Sequence, residues 1–160
     1  KNVLGFNSFH VGLLMSAEGC GALIGALLIA SAGQVRHYRR LYVSGISLYL
    51  VSAVIFSQST LAVSSGASLL LVGLGVAAFA AMQSTLIFLT APEEARSLMM
   101  GLLSVCIGMA PIGFLHIGLL ANWLGAPTAI AILASEGILA LWWVLRRWPS
   151  LWDLQYLSKE

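Results

Sequence analysis

The chain has 160 residues, of which 59% are hydrophobic and only 9% are charged. With a mean hydropathy of +0.94, it carries too few charges to cover the surface of a water-soluble domain. The formal net charge of +2 gives no reason to expect a nucleic-acid partner, and both cysteines lie in apolar runs where a thiol packs as a small hydrophobe. The composition therefore excludes a soluble or disulfide-stabilised domain and points to the lipid bilayer as the solvent.

Apolar segments of membrane-spanning length recur along the chain, each close to the roughly 20 residues that one transmembrane helix needs. Strands of a membrane barrel would alternate apolar and polar residues, and runs such as "ASLLLVGLGVAAFAAM" do not. The sequence therefore predicts an all-α, polytopic membrane protein with five transmembrane helices. Their predicted bounds are 9–32, 41–58, 67–89, 98–121 and 126–145.

The first segment carries Glu18 near its middle. An intramembrane carboxylate costs about 2.5–3.5 kcal/mol on insertion scales, so Glu18 should face protein or a wet cavity. Gly21, Ala22 and Gly25 follow at helical spacing and form a small-residue face that permits close helix approach. Two interpretations of Glu18 stay open: a residue of a transport pathway, or a neutral, hydrogen-bonded packing residue.

The loop "GQVRHYRRLY" concentrates positive charge between the first two segments. Basic residues follow the first, third and fifth segments, whereas the other two connections contain none, and cytoplasmic loops are the ones enriched in bases. This alternation predicts an N-terminus outside, a cytoplasmic C-terminus and, because no leader precedes the first segment, a further helix upstream. The bases concerned are Arg36, Arg39, Arg40, Arg96, Arg146 and Arg147.

The later segments hold isolated polar groups and one proline. Gln83 in the third and His116 in the fourth are candidates to line a pathway, although each is equally able to bond a backbone carbonyl. Glu136 lies in a uniformly large and apolar fifth segment, where the structural interpretation is a protonated carboxyl bonded to a neighbouring helix. Pro111, inside the fourth segment, predicts a kink.

Motifs of catalysis, cofactor binding and metal binding are absent from the sequence. It contains no HExxH, no phosphate-binding glycine loop, no CxxC and no GxSxG. A pairing of Ser104 with His116 would place the two groups three helical turns apart on one helix. We therefore expect no enzyme activity, no cofactor and no metal. After Arg147, the tail 148–160 has the composition of an interfacial segment at the cytoplasmic headgroup level.

Four stretches, taken in order, carry a family resemblance. Residues 31–40 place Arg36, Arg39 and Arg40 on the basic positions of a loop that reads approximately GxxxDRxGRR, although Val35 replaces its aspartate. "TAPEEARSLMMG", "GMAPIG" with Gly108, Pro111 and Gly113, and "GLLANWLGAP" follow in the expected order. The chain resembles the eighth to twelfth helices of a major facilitator superfamily transporter, in particular the drug and siderophore exporter branch that includes enterobactin exporters.

The resemblance implies a two-bundle fold with six helices in each half. Residues 1–147 would then form most of one six-helix bundle, without its preceding helix and without the N-terminal bundle. It implies that helices matching the first, third and fourth segments line the cavity, which favours Glu18, Gln83 and His116 as substrate or proton pathway residues and disfavours Glu136. The arginine cluster would belong to the loop that latches the two transport states.

The function implied is proton-driven efflux of amphipathic small molecules across the cell (inner) membrane, by rocking of the two bundles. This chain alone is not expected to transport. A second interpretation stays open, in which the chain is a free-standing small membrane interaction protein or a non-functional remnant of a transporter gene.

Overall fold

The structure is a computed structural model that describes residues 8–32 and 37–148. Within these residues it contains six α-helices and no strand, and five spans are long and apolar enough to cross a membrane, α4 and α5 together forming one of them. This confirms the predicted all-α, polytopic fold. Arg36 and the tail residues 149–160 lie outside the described residues. The helices are α1 (Ser8–Ser31), α2 (Tyr38–Gln58), α3 (Ala62–Thr90), α4 (Glu93–Gly108), α5 (Ala110–Leu124) and α6 (Ala126–Arg147).

Helix α3 lies between α1 and α2, and two of its glycines make this possible. Gly73 faces α1, where an added Cβ would meet the main chain and lie 2.7 Å from the amide nitrogen of Ala22. Gly75 faces α2, where an added Cβ would lie 2.7 Å from the carbonyl oxygen of Gly45. Two residues along an α-helix correspond to a rotation of about 200°, so the two glycines point to opposite sides of α3. Glycine thus lets backbones approach each other on both faces of one helix.

The predicted small-residue face of α1 is the surface that packs on α3. Gly21 and Gly25 are buried, and an added Cβ at Gly21 would meet the main chain of Leu70. At Gly25 it would lie 2.9 Å from the Cβ of Ala77. These contacts advance along both chains in the same direction, so α1 and α3 run parallel, as alternate spans must.

The second layer of contacts joins α2 to α6 and α6 to α5. Gly137 of α6 lies against Leu50 of α2, whose Cδ2 would be 2.6 Å from an added Cβ, and Ala129 and Ala134 are buried nearby on the same helix. The order of packing is therefore α1, α3, α2, α6, α5. No residue of α4 or α5 is buried.

The fourth predicted helix, 98–121, is two helices rather than one kinked helix. α4 ends at Gly108 and α5 begins at Ala110, with Met109 (φ −80°, ψ 0°) between them. Pro111 lies in the first turn of α5, where its missing N–H breaks no helical hydrogen bond, and the amide of Ile112 donates to the carbonyl of Met109 at 3.0 Å. The proline thus ends one helix and begins the next, while both remain in one span.

Replacing Pro111 with alanine should change the free energy of unfolding in detergent by less than about 1 kcal/mol, since a first-turn proline costs little. In the matched control, Leu102→Pro places a proline in the interior of α4 and should destabilise by about 3 kcal/mol. If Pro111→Ala were instead about 3 kcal/mol more stable than the native chain, Pro111 would lie in a helix interior rather than in a first turn. The separation of α4 from α5 at Met109 would then be wrong.

Candidate functional site

Glu18 lies where α1 crosses α3. It is half-buried, and its carbonyl oxygen is one of the atoms that an added Cβ at Gly73 would meet. Among the described residues, its side chain makes no hydrogen bond and no ion pair. The backbone of Glu18 is therefore held by packing against α3.

Gln83 lies on α3, ten residues beyond Gly73. At 1.5 Å per residue, Gln83 lies about 15 Å further along the axis of α3 than Gly73, the residue at which α3 crosses α1 near Glu18. Gln83 is half-buried, and the hydroxyl of the nearby Thr85 donates to the carbonyl of Ala81 at 2.8 Å. The structure therefore does not bring Gln83 and Glu18 together in one cluster.

His116 pairs with Glu136, a residue that the resemblance disfavours. The Nδ1 atom of His116 lies 3.9 Å from the Oε2 atom of Glu136, and the two side chains are 46% and 51% exposed. The distance is that of an ion pair and exceeds the 2.7–3.2 Å of a hydrogen bond. This contact brings together two polar side chains from two different membrane spans, α5 and α6.

The turn at Gly125 explains how these two side chains meet. Gly125 has a positive φ of 87°, a conformation that glycine adopts readily, and it reverses the chain between α5 and α6. It is nine residues after His116 and eleven residues before Glu136, so both reach a similar depth of the membrane. The pairing of His116 with Glu136 was not predicted from the sequence. The signal that could have predicted it is their near-equal spacing on either side of a glycine between two apolar segments.

Two arginines of the loop motif lie in the first turn of α2. Arg39 is half-buried and Arg40 is exposed, and Arg36 is outside the described residues. A helix N-terminus carries a partial positive charge, so basic side chains gain nothing from the helix dipole there.

An open groove of about 710 Å³ lies between α1, α2 and α3. Its walls are formed mainly by aliphatic side chains and glycines. The hydroxyls of Ser44 and Ser47 in the wall donate to carbonyls of their own helix, Leu41 at 3.1 Å and Val43 at 2.8 Å. Among the described residues that line the groove none carries a charge, so the lining offers apolar contacts.

The structure shows no arrangement for catalysis in the part of the chain that it describes. The hydroxyl of Ser104 donates to the carbonyl of Met100 at 3.0 Å, and Ser104 lies on α4 while His116 lies on α5. No group of three His, Cys, Asp or Glu side chains among residues 8–32 and 37–148 is arranged to hold a metal ion. The polar groups found are instead single residues or a pair inside membrane spans.

Five apolar spans define a helical, multi-pass membrane protein. Residues 1–154 match the family model of the Major Facilitator Superfamily. The chain therefore belongs to this superfamily, whose members are transporters rather than enzymes. No curated protein and no solved structure matches the chain.

Proposed function

We propose that the chain is part of a secondary active transporter that exports amphipathic small molecules and is driven by protons. The observation that carries the proposal is the superfamily match over residues 1–154 in a chain with five described spans. Transporters of this architecture expose a midplane site alternately to the two sides of the membrane. A ligand shifts such an equilibrium only by its different affinities for the two states.

The proposed pathway lies along the side of α1 that carries Glu18. The groove between α1, α2 and α3 begins at Gly25, seven residues or about 10 Å beyond Glu18 along the helix. An amphipathic molecule would place its apolar part against the groove wall and its polar part toward the carboxyl group. Because protonation removes the charge of Glu18, it would change the affinity for a cationic or hydrogen-bonding substrate.

We propose that a preceding helix and a second bundle cover the outer surface of α4 and α5. No residue of these helices is buried, and an added Cβ at Gly101 or Gly108 would have nothing within 4 Å. Small residues of this kind permit close approach of another helix in a membrane. In the proposed orientation the N-terminus is outside and the tail is on the cytoplasmic side of the inner membrane.

The isolated chain should show no proton-driven efflux when it is reconstituted into vesicles, because the second wall of the pathway is contributed by the other bundle. The complete transporter, reconstituted in the same way, should expel an amphipathic fluorescent dye. An ionophore that collapses the proton gradient should stop this efflux and serves as the control. Robust, gradient-dependent efflux by the 160-residue chain alone would contradict the proposal.

A further inference from the structure

We propose that His116 and Glu136 together form a binding site for a single proton between α5 and α6. The two groups lie 3.9 Å apart, on two different helices, inside two membrane spans. Both side chains are half-exposed, so the described helices do not enclose either group. This site is separate from Glu18, which lies on α1 at the other end of the order of packing.

The charges of the pair explain why it holds one proton. With no shared proton, a neutral imidazole faces a carboxylate, and the pair carries one negative charge in a membrane span. One added proton makes the pair neutral overall, either as imidazolium and carboxylate or as imidazole and carboxylic acid. A second proton would leave a net positive charge. Intramembrane charge is costly, so the state with one proton is favoured over both neighbours.

Among the described residues of α2, α5 and α6, no charged side chain outside the pair lies at the same depth of the membrane as the pair. Gly137 of α6 contacts Leu50 of α2, and this places Tyr49 as the titratable group of α2 nearest in depth. Arg39 and Arg40 are ten or more residues from Leu50, or about 15 Å along α2. The remaining titratable groups on α2, α4 and α6 are Tyr38, Tyr42, Glu93, Glu94, Arg96, Cys106, Arg146 and Arg147.

The proton would also strengthen the contact between the two helices. At 3.9 Å the groups are more than half an ångström beyond hydrogen-bond distance, and a charge-assisted hydrogen bond would draw them to about 2.7–2.9 Å. α5 is separated from α4 by the break at Met109 and makes its main contacts with α6. Proton binding would therefore fasten α5 to α6 at mid-membrane, independently of α4.

The inference goes beyond the proposed function, which assigns no role to Glu136. It is tested on the chain itself and needs no transport measurement, so its failure is distinguishable from a failure of the proposed export activity. The probe is the proton alone.

Infrared difference spectra of the chain in lipid nanodiscs, recorded between about pH 4 and pH 9, cover the ordinary titration of carboxyl and imidazole groups. The native chain should show a carboxyl band, either of the protonated acid or of a carboxylate that is perturbed when the imidazole gains its proton, and this band should be lost in Glu136→Gln. The same band should remain in Glu18→Gln, which is the matched control on another span. Persistence of the band in a folded Glu136→Gln variant would overturn the proposal.

Nitrogen-15 spectra of the three histidine rings supply the second measurement, with His10 and His37 as internal references. Groups that share a proton titrate as a pair, so the His116 ring and the Glu136 carboxyl should change over the same pH range. In His116→Asn the carboxyl band should move to a different pH range. If that range is unchanged, or if ring and carboxyl change separately in the native chain, the pair does not share a proton.

Discussion

Replacing Gly73 with leucine should prevent the packing of α1 on α3 and destabilise the helix bundle by about 3 kcal/mol or more, at or beyond the upper end of usual overpacking costs. The first atom of the new side chain would meet the carbonyl oxygen of Glu18 and lie 2.7 Å from the amide nitrogen of Ala22. Both are main-chain atoms, which cannot rotate away as a side chain would. The free energy of unfolding of the chain in mixed detergent measures the effect.

Gly19→Leu is the matched control for this prediction. Gly19 lies in α1, it is exposed, and an added Cβ there would have nothing within 4 Å. Leucine is also the better helix former by roughly 0.8 kcal/mol, so this variant should be as stable as the native chain or slightly more stable. Equal stability of the Gly73→Leu and Gly19→Leu variants would show that α1 and α3 are not in close contact at Gly73.

Glu18→Gln in the complete transporter should strongly reduce proton-driven efflux, because it removes the coupling between proton and substrate binding, which is usually worth about 5–150-fold in affinity. Glutamine keeps the size and hydrogen-bonding capacity of the side chain but cannot gain or lose the proton. The pH dependence of efflux should become flatter for the same reason. Efflux of a fluorescent amphipathic dye from vesicles, measured over a range of pH values, records both effects.

Glu93→Gln controls for the loss of a carboxylate as such. Glu93 lies in the first turn of α4, its side chain is 87% exposed, and it forms an ion pair of 3.6 Å with Arg96. An exposed pair of this kind contributes little to stability, so efflux should be nearly unchanged. If Glu18→Gln leaves the rate and the pH dependence of efflux unaltered, Glu18 is a packing residue of the α1–α3 crossing.

The sequence could predict the spans because each one satisfies a condition on its own residues. A membrane helix must be apolar over its whole length, whatever its neighbours are, and the charge-free runs meet that condition segment by segment. Pro111 likewise acts locally, because its missing N–H and its ring limit the positions that it can occupy in any helix. The sequence placed the disturbance at the right position, although it predicted one kinked helix and the structure has two.

Helix partners are less accessible to prediction because they depend on residues that are distant in the chain. The face of Gly21 and Gly25 was recognisable from its spacing, but nothing in that spacing selects α3 as its partner. Gly73 and Gly75 stand in an apolar run with several other small residues. Only the fold shows that one of them admits α1 and the other admits α2.

By itself, the sequence determined an all-helical membrane protein with five described spans, a disturbance of the fourth span near Pro111 and a superfamily resemblance that the family match supports. Local hydropathy and backbone chemistry are sufficient for these properties. The tertiary structure decided that α3 is the central helix, that Glu18 and Gln83 lie at different depths, and that His116 meets Glu136. These features depend on distances between residues of different helices. Such distances are set only when the glycine contacts and the turn at Gly125 fix how the helices pack.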